Sequence, residues 1–172
     1  MRNNIFVVVG IAIIAIGIGM FVFVYGGESF SNASPSVANE NSQAAAVVPF
    51  TEIVHGDQSI VSTRTNYIVT SVNELEKLWS LIEAKEKMPV IDFSKHSVIA
   101  VFAGQKMTAG YAISVSEVKD EQDRMITVTL SSPDNTCVLA QSITAPYQII
   151  QLPATSLQLA HEDKTATISC SD

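Results

Sequence analysis

The stretch "SVIAVFAGQKMTAGYAISV", residues 97–115, decides the fold. Residues 97–104 are almost wholly apolar, which is the pattern of a central strand covered on both faces. After Gly110, Tyr111, Ile113 and Val115 alternate with Ala112 and Ser114, and a period of two is a strand rather than a helix. The glycines, lysine and threonine between them invite a phosphate-loop reading. Such a loop needs Lys and Ser or Thr directly after its last glycine, at the start of a helix. Lys106 comes before Gly110 and a strand follows it, so Gly104 and Gly110 serve a strand-to-strand crossing.

Outward from this unit, "TRTNYIVTS" alternates β-branched residues and reads as strand. "SVNELEKLWSLIEAKEK" then changes period, with Val72, Leu75, Leu78, Trp79 and Ile82 on one helical face. Ser71 and Glu74 form a capping box and Pro89 stops the run. "YAISVSEV" and "MITVTL" around "KDEQDR" read as a hairpin, "YQIIQLP" as a further strand, and "SLQLA" and "ATISC" as two strands around "HEDKT". One amphipathic helix and about seven strands with short connections indicate an α+β domain on a mainly antiparallel sheet.

Residues 5–25 hold no charge and are long enough, at ~31 Å as a helix, to cross a bilayer. Arg2 precedes this run and Glu28 is the first charge after it, so residues 1–25 are expected to form a single-pass anchor with a cytoplasmic N-terminus and an extracytoplasmic remainder. Residues 26–49, rich in Ser, Asn, Ala and Gly, read as a disordered tether, which leaves 50–172 as one domain at the cell membrane. Of 10 Lys and Arg and 17 Asp and Glu, only Arg2 lies before the tether. The rest therefore carries nine against seventeen, or −8, with no basic cluster to hold nucleic acid.

Cys137 and Cys170 are the only cysteines, an even pair in the exported part, and are expected to form a disulfide. His55, His96 and His161 are scattered, and no GxSxG, HExxH or paired-cysteine motif accompanies them. The chain is therefore expected to be no enzyme and to carry no cofactor. With one Trp and four Tyr, mostly at strand or helix positions, carbohydrate binding is disfavoured too.

Residues Gly104, Thr108, Gly110 and Tyr111, followed by Gln141, Thr144, Pro146 and Tyr147, resemble the protease complex subunit PrcB family in its C-terminal domain. That family pairs a hydrophobic strand with a G-x-x-x-T-G-G-Y-type turn and then a Q-x-x-T-x-P-Y segment, and the likeness covers about residues 65–153. Ala109 stands where the first glycine of the pair usually falls. The resemblance implies a place in an envelope protease assembly and no catalytic residues. On this reading Gly104 and Gly110 shape the turn, Tyr111 packs inward, and Gln105, Lys106, Met107 and Thr108 are an exposed loop that engages a partner. An alternative is a protease inhibitor presenting the 104–111 loop, since "KMTAGYAI" is similar to the binding loop of chagasin-like inhibitors.

Overall fold

The computed structural model describes residues 45–82 and 85–170. The expected anchor, 1–25, and residues 26–44 of the tether lie outside the described residues. Among the described residues no helix is long and apolar enough to cross a membrane.

The elements follow as β1 (Ala46–Val47), β2 (Thr51–Gly56), β3 (Thr65–Val69), α1 (Val72–Trp79), β4 (His96–Phe102), β5 (Ala112–Asp120), β6 (Arg124–Pro133), β7 (Tyr147–Pro153) and β8 (Leu159–Ile168). They build two four-stranded sheets, β1-β5-β6-β8 and β2-β7-β4-β3. Neighbours pair antiparallel except β6 with β8. β1 falls within the stretch read as tether, and Val48 beside it is buried.

The apolar run around Val98–Phe102 makes β4 a central strand, as its composition requires, with β7 on one side and β3 on the other. Its two faces feed two cores. Ile99 and Val101 meet Ile113, Val115, Val118, Ile126 and Val128 from the facing sheet. Val98, Ala100 and Phe102 join Leu75 and Leu78 of α1. Each such fully buried aliphatic side chain contributes roughly 1.5–3 kcal/mol of transfer free energy. The order is thus sheet, sheet, helix.

Three local expectations are corrected. α1 stops at Trp79 instead of running toward Pro89: the Ser80 hydroxyl donates to the Lys77 carbonyl (2.7 Å), and the chain turns so that Ile82 bridges Ser59. Ile82 still reaches the core, but not as a helical residue. The capping box is one-sided, since Ser71 Oγ accepts from the Glu74 N–H while the Glu74 carboxylate takes the N–H of Thr70. Finally, 159–168 is one strand, with no turn at "HEDKT". A sheet-edge strand exposed on both faces tolerates those charges. The chain reaches it through β7 in the other sheet, a crossover long enough for parallel pairing with β6.

Cys137 and Cys170 are bonded, with Cα atoms 5.6 Å apart, just beyond the paired ends of β6 and β8. Replacing both by serine is expected to cost about 3 kcal/mol, from the loop-closure entropy of the unfolded chain. Denaturant titration of the double variant against the oxidised parent measures it, and unchanged stability would show that the bridge adds nothing.

Candidate partner-binding platform

The crossing from β4 to β5 is built on two residues in the left-handed region. Gly104 has φ 73° and Gly110 φ 95°. At Gly104 a Cβ would stand 2.8–2.9 Å from backbone atoms of Ser62, Thr63 and Arg64, so the segment before β3 closes over it. Only glycine satisfies both conditions.

Between these hinges the chain is laced to the segment that precedes β7. The N–H of Lys106 donates to the Thr144 carbonyl (2.7 Å), and the N–H of Thr144 returns the bond to Lys106 (3.0 Å). The N–H of Ala109, the residue at the usual glycine position, donates to the Ala140 carbonyl (3.1 Å). The Thr144 hydroxyl donates to the Thr108 carbonyl (3.1 Å), and Thr144 is buried. Ala103 N–H donates to the Pro146 carbonyl (2.9 Å), and Tyr147 stacks on Phe102 with centroids 6.0 Å apart. The two motif halves, far apart in sequence, are therefore one paired structure. Gln141, exposed, bonds only weakly to the Leu139 carbonyl.

The tip differs from expectation in two respects. Lys106 is half-buried, not free at the apex, and its ammonium lies 5.4 Å from the centre of the Tyr111 ring. Tyr111 is accordingly held under Lys106 at the surface and does not enter the core. The outward residues are Gln105 and Met107, the latter 73 % exposed, with Ile143 at 53 % on the neighbouring segment. Met107 and Ile143 are thus two large apolar side chains exposed on a cross-linked pair of loops.

Beside this platform a cleft of about 530 Å³ opens between the ends of β2 and β7 and the start of β5, walled by Tyr111 and Tyr147 and edged by Glu52, His55 and Asp57. Its floor is fixed by Gln148. The side-chain oxygen of Gln148 accepts from the Val115 N–H (2.6 Å), beside the β5 bulge, and its amide donates to Glu52. That donation, with smaller help from His55, holds the Glu52 carboxyl below its ordinary range, against the effect of its partial burial. Burial, with Glu86 and Asp57 adding, pushes the Tyr147 phenol up. From sequence, Glu52, Asp57 and Gln148 are not singled out, and His55 is weighed only as a candidate catalytic residue. The readable signal was Gln148, a polar residue at an inward position of "YQIIQLP".

The histidines do not assemble. His55 pairs with Glu52 (2.7 Å), His161 lies on β8, and His96 Nδ1 is buried at the start of β4 without a partner. Among the described residues no group of three or more His, Cys, Asp or Glu is placed to hold a metal. Cys137 and Cys170, being bonded to each other, offer no thiol.

Residues 97–153 match the family model described as PrcB C-terminal, 57 of the 172 residues and the segment that carries both motif halves. No curated protein and no solved structure matches the chain.

Proposed function

We propose that the chain is a non-catalytic, membrane-tethered extracytoplasmic module that binds an envelope protease assembly through the two-loop platform. The observation that supports this reading is the double lacing of Lys106 to Thr144, which ties together the backbones next to the exposed Met107 and Ile143. Preorganised loops bind without the entropy cost of ordering. The matched family segment supports a protease assembly as the partner class. The uncharged run 5–25 supports the anchor, and external protease added to intact cells should then degrade residues 50–172.

The test is a pair of substitutions. Met107→Ala with Ile143→Ala should leave stability within about 0.5 kcal/mol of the parent, as exposed changes do. Affinity for the co-purifying protease assembly should fall at least about tenfold, as loss of a central apolar contact does. Titration calorimetry and thermal melting measure the two effects. Unchanged affinity would remove the platform from binding. Stoichiometric inhibition of a papain-class protease by the parent, lost in the double variant, would favour the inhibitor reading instead.

A further inference from the structure

β8 runs for 10 residues, yet among the described residues neither hydrophobic core includes one of them. Every other strand longer than two residues supplies at least one core side chain. All of β8 but Ala160 is exposed, and its two large apolar side chains, Leu159 and Ile168, are 37 % and 41 % exposed. Apolar burial does not hold this strand.

What holds it is polar and covalent. The ladder pairs Leu159–Ile168 with Arg124–Pro133 of β6. It is extended at one end by the Arg124 N–H to the Gln158 carbonyl (2.8 Å), and at the other by the Asp134 N–H to the Ile168 carbonyl (2.9 Å). From the segment before β3, Arg64 donates to the Asp163 carboxylate through Nε (3.0 Å) and Nη2 (2.6 Å). Beyond Ile168 the Cys137–Cys170 bond fastens the far end. Ladder hydrogen bonds replace bonds to water for a small net gain, while fixing ten backbone units costs entropy of at least that size. A half-exposed ion pair adds little. The covalent bond therefore decides whether β8 stays.

We propose that β8 is a redox-released strap: the Cys137–Cys170 bond holds it on β6, and reduction by a dithiol frees it while both cores stay folded. The hinge follows Ala154, whose N–H remains bonded to the Lys95 carbonyl (2.9 Å). The Arg124 side chain stays in place as well, since it bonds Asp120 and Pro153 and nothing in β8. Cys170 is exposed and Cys137 half-buried, so attack comes at the Cys170 Sγ. The attacking thiolate bonds to that sulfur, and Cys137 leaves as a thiolate. The second thiolate of the reductant then displaces Cys170. The reductant departs as a disulfide, and its two protons pass to Cys137 and Cys170. Release leaves the outer edge of β6 unpaired. The device is separate from the two-loop platform and does not rest on it.

The test treats the full chain in detergent micelles with excess dithiothreitol, without denaturant, and follows mass and amide hydrogen exchange. The intact mass should gain two hydrogens. Amides of residues 159–168, protected in the oxidised parent, should then exchange within about tenfold of an unstructured peptide. Those of β4 and β7 should keep about hundredfold protection or more. Oxidation with glutathione disulfide should restore protection to β8. Cys137→Ser with Cys170→Ser should show the released pattern with no reductant present. A bond that resists the reductant overturns the proposal, as does a β8 that stays protected once the bond is cut or stays open once it is restored. Loss of protection in β4 and β7 together with β8 also overturns it, because the bond would then hold the whole domain.

Discussion

Asp120→Ala is expected to destabilise the domain by about 4 kcal/mol, the scale of leaving a buried charge without its partner. Arg124 is 3 % exposed and opens β6, paired with Asp120 at the end of β5. Its guanidinium donates through Nε (2.6 Å) and Nη2 (2.7 Å) to the two oxygens of Asp120, and through Nη1 to the Pro153 carbonyl at the end of β7. Removing the carboxylate strands the cation in the protein. Arg124→Met removes the cation itself and should cost much less, about 1.5 kcal/mol or below. If the two substitutions cost the same in denaturant titrations, the charge argument is wrong. Hydrogen bonds from Arg124, then its charge, hold the Asp120 carboxyl below its ordinary value, in opposition to burial. The folded state therefore binds this proton less readily than the unfolded chain. The stabilisation is complete above the unfolded pKa of about 3.9 and drains away as pH falls through the lower folded value.

Gly104→Val should be comparably damaging, about 4 kcal/mol, or roughly 15 °C in melting temperature for a domain of this size. Two costs combine. A β-branched residue at φ 73° is strained, and its Cβ would meet the backbone of residues 62–64 at 2.8–2.9 Å, where nothing soft can yield. Gly110 offers a control. There the nearest atoms to a new Cβ are side-chain carbons of Leu139 and Pro133, at 3.2–3.3 Å, so Gly110→Ala should cost less than Gly104→Ala. Equal melting shifts for the two alanine variants would show that backbone proximity is not what distinguishes them.

Periodicity was enough for β4, β5, β6 and β7, because each buries an alternating or wholly apolar face that no other structure would hide. The disulfide was legible for a different reason, that the chain's two cysteines have only each other. Elements decided by solvent exposure or long-range contact were not legible. β8 reads as a broken hairpin because its charges resemble a turn, and nothing local reports that an edge strand accepts them. The length of α1 was hidden by Ile82, whose helical spacing is coincidental to a bridge with Ser59. In the platform, Gly104 and Gly110 could be read as turn residues from their place between strands. That Lys106 would lie over Tyr111, and that Gln148 would tie Glu52 to β5, depends on pairings no window of sequence contains.

The pairing of β2 with β7 sets residue 52 beside residue 150, and β6 is completed only by β8 near the chain's end. Most stabilising contacts thus join segments distant along the polypeptide, a topology that folds slowly because loop closure must come before reward. During synthesis, β2 has no partner until β7 has emerged, nearly a hundred residues later. Until then β2 and β4 present unpaired backbone to whatever surrounds the growing chain. A chain cut short before β7 would keep these unpaired edges, since β7 is the strand that pairs with both β2 and β4.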